Sequence, residues 1–201
     1  IDIYNTQNQQ ELVQLLAQTI VGSMDKFSEK IFTQLTAFFK SCRPVFSADP
    51  ITGAPEVTLD VQPQNSEYTL KEIVAYMNES EHECFVAIDE FQQIGEFTDS
   101  ITIQKRLRGV WQHHQNVSYC FFGSKKHLME NIFQSRRMPF YQFGEMLHLR
   151  CIPTEYWVPF ICSRFEKYGK KITEGYANRI CQVVKNHSSY VQQLAWNVMA
   201  E

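Results

Sequence analysis

The segment Cys84-Phe85-Val86-Ala87-Ile88 is an apolar run that stops abruptly at two adjacent carboxylates, Asp89 and Glu90. A run of strand length bounded by charge reads as a buried β-strand. Helical patterns flank it, from Thr69 to about Glu79 before it and through Ile103, Leu107, Val110, Trp111 and His114 after it. A second short strand, Val117 to Phe122, follows and ends in Gly123-Ser124. Strands alternating with helices predict an α/β fold with a parallel sheet and right-handed crossovers. Ligands meet such a sheet beyond the carboxyl ends of its strands. The default active edge is therefore Asn5, Asp89-Glu90, Gly123-Ser124 and the neighbourhood of Ile152.

The flanking sequence extends this pattern on both sides. Ile1 to Asn5 alternates as a strand does, and Thr6 or Asn8 can cap a helix with Leu12, Leu15, Leu16 and Ile20 on one face. Asp25 is the expected cap of a second helix, in which Phe27, Ile31, Leu35, Phe38 and Cys42 keep the 3.6-residue period. Arg43 to Ser66 carries four of the seven prolines and reads as a long loop with one short strand, Val57 to Val61. A helix at about 125 to 133 precedes a basic and aromatic connection, Gln134 to Tyr141, which Pro139 breaks. Glu145 to Ile152 reads as one more strand.

From Pro153 onward the pattern is purely helical. Trp157, Phe160, Ile161, Phe165 and Tyr168 share one helix; Tyr176, Ile180, Val183 and Val184 the next; Tyr190, Val191, Leu194, Ala195, Val198 and Met199 the last. The Phe and Trp stripes are expected to be core rather than cofactor contacts. The expected organisation is an α/β core over residues 1–152 and a helical subdomain over 153–201.

Composition narrows the function classes. Net charge is -3 with 19 basic and 22 acidic side chains interspersed, so no basic stripe offers itself to nucleic acid. No apolar run approaches the roughly 20 residues that span a bilayer, so no membrane partner is expected. Six cysteines occur without a CxxC or a close Cys/His pair, which argues against a zinc site. Cys84, Cys120, Cys162 and Cys181 fall within apolar patterns where a buried thiol is the ordinary expectation, and a reducing cytoplasm is the expected compartment. The opening Ile1-Asp2-Ile3 has neither an initiator methionine nor a charged leader, as expected of an excised fragment without a secretory signal.

Chemistry concentrates at the strand ends. Asp89 can ligate magnesium and Glu90, one residue further, can orient or deprotonate a water; an Asp-Glu pair can equally begin a solvated loop. Ser124 follows by one αβ unit and should lie beside Asp89, although Gly123-Ser124 can also simply turn the chain and cap the next helix. Arg136 and Arg137 can meet developing phosphoryl charge or serve as solvated surface. His113, His114, His127 and His148 have no metal-ligand spacing and read as surface or satisfied residues.

Taken in order, FVAIDEFQQI, SYCFFGSKKHLMENIF, RRMPFY and NHSSYVQQLAW make the chain resemble the prokaryotic ATPase branch of the STAND group, within the AAA+-like P-loop NTPases. The resemblance implies a Walker B strand ending at Asp89 and Glu90, a sensor 1 position at Ser124, and a helical lid from about residue 153. It also implies that Asp89 holds Mg2+, that Arg137 is a candidate phosphate sensor or finger, and that His187 and Tyr190 approach the adenine of ATP. Two departures stand out. No GxxxxGK[ST] phosphate loop occurs, since Gly169-Lys170 continues with Lys171 and sits at the end of a helix. Where the family usually shows Gly-His-Pro, this chain has Asn186-His187-Ser188.

The resemblance thus implies an Mg-dependent ATPase switch in the complete protein, with nucleotide and an unknown effector as partners. These 201 residues alone are expected to bind ATP weakly, because the loop amides and lysine supply most phosphate contacts. The alternative is a scaffold domain that keeps the fold without nucleotide. A helicase of the DExx type shares the carboxylate pair but needs a second RecA-like domain and basic grooves. A sheet lacking the phosphate-loop strand exposes backbone edges, and self-association or a rearranged core is the expected compensation.

Overall fold

The computed structural model describes residues 1–24, 29–48, 55–80 and 83–200, grouped as two compact units, Ile1–Glu145 and Met146–Glu201. The expected cap Asp25 and core residue Phe27 lie outside the described residues, as does the side chain of Ile31.

Helix α1, Gln9–Met24, starts where sequence chemistry directs it. Asn8 Oδ1 accepts from Glu11 N at 3.0 Å, and the Glu11 carboxylate returns to Gln7 N at 2.8 Å and Asn8 Nδ2 at 2.7 Å. Orphan donors of the first turn are thereby satisfied. Thr6, the other candidate cap, is buried and donates to Ile3 O at 2.7 Å instead. Leu12, Val13, Leu16, Ala17, Ile20 and Val21 turn inward.

Helix α2, Glu29–Phe38, ends before Cys42, which the helical period had included. Cys42 instead opens strand β1, Cys42–Ala48, paired antiparallel with β2, Pro55–Val61, from Cys42 opposite Val61 to Ala48 opposite Pro55. The expected loop with one strand is therefore a hairpin. Prolines at 44 and 55 obscured it, yet a two-stranded ribbon tolerates proline because every strand is an edge. Buried Leu59 and Val61 anchor β2, and Gln10 Nε2 of α1 donates to Val61 O at 2.8 Å.

Helix α3, Ser66–Asn78, leads to β3, Cys84–Ile88; α4, Ser100–Trp111, leads to β4, Val117–Phe121; α5, Lys126–Gln134, closes the series. Strands β3 and β4 pair in parallel, Cys84 opposite Val117 through Ile88 opposite Phe121. The expected first strand contributes one parallel bridge, Asp2 to Asp89, on the other side of β3. It goes no further because Asp2 Oδ1 takes Tyr4 N at 2.9 Å and Ile3 O takes Thr6 N at 3.0 Å, turning the chain away.

One face of the β3–β4 pair packs an aromatic core. Phe91 sits 4.3 Å from Phe121 by ring centroid, 5.4 Å from Phe140 and 5.7 Å from Phe133. Arg108 braces the segment that delivers Phe140, donating to the carbonyls of Pro139 and Tyr141 and lying over the Phe143 ring. The other face is open, with Phe85 70% exposed, Phe122 42% exposed and Cys120 exposed rather than buried as expected. Of the other three thiols expected inside, only Cys181 is fully buried, with Cys84 and Cys162 half-buried.

In the middle of β4, Tyr119 stacks on Trp111 and on His114, and its hydroxyl is hydrogen-bonded to His114 Nδ1. Burial raises the Tyr119 phenol, with Cys84 a lesser cause, so the hydroxyl keeps its proton. Burial also lowers His114 from its ordinary value near 6.5, against a smaller opposing effect of the Val74 carbonyl. The native state thus resists a proton that the unfolded chain accepts. Its contribution to stability is complete above about pH 6.5 and is lost as pH falls through the lowered native value. Urea midpoints at pH 7.5 and below pH 6 should show this acid loss in the wild type and a smaller one in His114→Gln; equal losses would refute the assignment.

Residues 144–153 form no helix or strand. Glu145 to Ile152 is therefore not the expected strand: Leu147 and Leu149 alternate correctly but are 83% and 89% exposed, with no ladder to enter. The second unit comprises α6, Thr154–Lys167, α7, Glu174–Val183, and α8, Ser188–Ala200. Trp157, Ile161, Phe165, Ala177, Ile180, Cys181, Val191 and Met199 form its core. Phe160, read from the sequence as core, is exposed, as are Tyr168, Tyr176, Val183, Tyr190 and Val198 on the same helical patterns. Three short helices bury only a narrow stripe of each, so the flanks of each apolar face stay outside. Gly169 ends α6 in the left-handed conformation, φ 70°, with Lys170 N on Phe165 O at 2.9 Å, a helix stop rather than a phosphate loop.

Candidate functional site

Two elements deliver the candidate site in the first unit. Strand β3 is anchored by Val86 and by Ile88, which is fully buried, so its next residues emerge at the sheet edge. Backbone bonds hold that edge on both sides: Asp89 N to Ile1 O at 2.8 Å, and Phe122 N to Ile88 O at 3.0 Å. Glu90 then adopts φ 53° and ψ 37°, the left-handed region that non-glycine residues seldom enter. Asp89 Oδ1 accepts Glu90 N at 2.8 Å and Glu90 O accepts Gln93 N at 2.9 Å, which locks the turn into the short 3-10 helix Phe91–Gly95.

The carboxylate of Glu90 meets β4's end. Ser124 Oγ donates to Glu90 Oε2 at 3.2 Å, and Gln92 Nε2 donates to the same oxygen. Asp89, Glu90 and Ser124 are therefore brought to one edge, as the spacing of a single αβ unit predicts. Gln92 was not foreseen as part of it. It is 1% exposed, and an isolated glutamine after a carboxylate pair carries no motif.

The other candidate residues lie elsewhere. Arg137 is exposed in the turns between α5 and residue 144 and forms no ion pair among the described residues. His187 and Tyr190 belong to the second unit, where their rings lie 4.5 Å apart at the start of α8. Lys185 and Asn186, at φ 51° and 60°, carry the chain from α7 into α8, and Asn186 Oδ1 accepts from Thr154 Oγ1 at 3.0 Å. Asparagine tolerates this left-handed conformation better than most residues, so it can stand where a glycine would serve.

The donor set suits a hard divalent cation. Asp89 offers a carboxylate whose Oδ2 carries no hydrogen bond among the described residues, and magnesium is typically held by one or two carboxylates with water and phosphate oxygens. No cluster of three metal-binding side chains occurs among the described residues, so a cage made wholly of protein ligands is not offered. Cys42 is no nucleophile, since burial, helped by Glu72, pushes its thiol up to about 12.

Each unit carries a concavity. One, lined by Gln7, Asn8, Asp99 and Arg106 among others, is in the first unit; the other runs along α6 and α7. Neither is lined by Asp89, Glu90 or Ser124. No helix among the described residues is long and apolar enough to cross a membrane. No protein-family model matches this chain, and no curated protein matches it.

Proposed function

We propose that the first unit is the magnesium-and-water half of an ATPase centre, and that the complete protein uses Mg-ATP hydrolysis as a molecular switch. The observation that carries this is the Ser124 to Glu90 hydrogen bond at 3.2 Å, linking the ends of two adjacent parallel strands beside Asp89. Magnesium, when bound, would neutralise charge on the phosphate oxygens, and Asp89 is the residue to hold it. Glu90 accepts a proton from water as that oxygen forms its bond to the γ-phosphorus and the bond to the ADP oxygen breaks. Ser124 keeps that carboxylate in place and meets the γ-phosphate. Arg137, exposed and unpaired by any acid among the described residues, is the candidate to meet phosphoryl charge. The His187–Tyr190 ring pair offers an apolar face to adenine.

The open face of β3–β4 fits the same proposal. Parallel sheets are ordinarily covered on both faces, and Phe85 at 70% exposure has no cover. A phosphate-loop strand and helix, or another chain, would supply one.

The second possibility is a scaffold domain without nucleotide, favoured by the fact that neither of the two concavities is lined by Asp89, Glu90 or Ser124. Calorimetry with Mg-ATP separates the two. The 201-residue chain should bind weakly or not at all, and the complete protein should bind with micromolar affinity or better. A complete protein that does not bind Mg-ATP would sink the ATPase proposal, and tight binding by the 201 residues would show that the phosphate contacts come from elsewhere.

A further inference from the structure

We propose that Gln92 is a positioning residue for Glu90, seated by Gly123, so that the site is a four-residue assembly of Glu90, Gln92, Gly123 and Ser124. The functional part of this proposal rests on the ATPase reading of the site; the structural part does not.

Gln92 is placed against the usual preferences of a protein interior. Its side chain is buried, its Nε2 donates to Glu90 Oε2, and its Oε1 is buried without a hydrogen-bond partner among the described residues. A buried, unpaired carbonyl oxygen is costly, and a leucine or methionine would fill the same volume without that cost. What only the amide supplies is its bond to the carboxylate.

Gly123 supplies the second observation. A Cβ built there would fall 1.8 Å from Gln92 Oε1 and 3.0 Å from Gln92 Cδ. Yet the Gly123 backbone is outside the left-handed region, so its conformation does not call for glycine. Space for the Gln92 amide does. The residue before Ser124, beyond the end of β4, thus makes room for the side chain that holds the residue after Asp89, beyond the end of β3.

The bonding leaves the carboxylate asymmetric. Oε2 takes both Gln92 Nε2 and Ser124 Oγ, while Oε1 accepts no hydrogen bond among the described residues. Oε1 is then the oxygen that receives the proton of the attacking water, and Gln92 with Ser124 fixes where it points. Orientation of this kind is worth much in rate, because displacements near 1 Å cost about 100-fold.

Two measurements test the proposal. In the 15N-labelled 201-residue protein without nucleotide, the Gln92 side-chain amide protons, assigned by their loss in Gln92→Leu, should be widely separated in shift. The separation should collapse to that of exposed glutamines in Glu90→Ala. In the complete protein, Gln92→Leu and Gly123→Ala should each lower kcat about 10- to 100-fold while KM for ATP holds. Both variants are to be checked for native urea midpoints, and Gly123→Ala serves where Gln92→Leu does not fold. An amide pair unmoved by Glu90→Ala, or wild-type kcat in both folded variants, would overturn the assignment. A wild-type protein without turnover would end the ATPase reading alone, and the amide spectrum would then decide the pairing by itself.

Discussion

Glu90→Gln is expected to cut Mg-ATP turnover by the complete protein about 100- to 10,000-fold while leaving nucleotide affinity unchanged. The substitution is informative because it preserves the geometry. A glutamine carbonyl at position 90 still accepts from Gln92 Nε2 and Ser124 Oγ, the two donors that hold the present carboxylate. Backbone strain at this left-handed residue is also unchanged. Only the capacity to take a proton is removed. Single-turnover hydrolysis with a parallel binding titration separates chemistry from affinity. Turnover at the wild-type rate would remove Glu90 from the mechanism, whatever its contacts.

Phe91→Ala should destabilise the first unit by about 3–5 kcal/mol, the range for truncating a fully buried phenylalanine. Phe91 is 1% exposed, and its ring contacts come from four directions: Phe121 on β4, Trp111 on α4, Phe133 on α5 and Phe140 beyond it. Rings held by so many separate elements cannot collapse together onto a small side chain, so most of the cavity should persist. Its backbone is tied as well, with Phe91 N on Phe122 O at 3.0 Å. Urea titration followed by near-ultraviolet circular dichroism would measure the loss. A cost below about 1 kcal/mol would mean that these rings are not the keystone of the unit.

Elements with strong internal periodicity could be read from the sequence. Strands β3 and β4 with α4 between them follow from their apolar runs and one amphipathic helix, and that regular spacing is what brought Ser124 beside Glu90. Of the two caps that the sequence offered for α1, Thr6 and Asn8, Asn8 is the one that caps it. Elements that depend on a partner were not legible. The hairpin of β1 and β2 hid behind Pro44 and Pro55, whose effect depends on whether a strand is central or at an edge. Leu147 and Leu149 alternate as a strand does, but alternation becomes a strand only when a neighbour completes the ladder.

The same distinction applies inside the site. Asp89, Glu90 and Ser124 stand at strand ends, where sequence order fixes position. Gln92 matters because of a gap left by a glycine thirty-one residues later, a relation that no local pattern encodes. Cys120 misled for a related reason: its apolar neighbours marked a strand, while its side chain is on the exposed side of the β3–β4 pair, with Phe85.

The left-handed backbone of Glu90 sets stability and chemistry against each other at a single position. Glycine there would relax a conformation that costs a side-chain-bearing residue on the order of 1 kcal/mol, and would discard the carboxylate along with its two hydrogen bonds. On the proposed ATPase reading, selection for a tougher fold and selection for a working acid-base group therefore favour different residues at position 90. A program of stabilisation guided by backbone preference alone would choose this position early and lose, in doing so, the carboxylate that Gln92 and Ser124 hold.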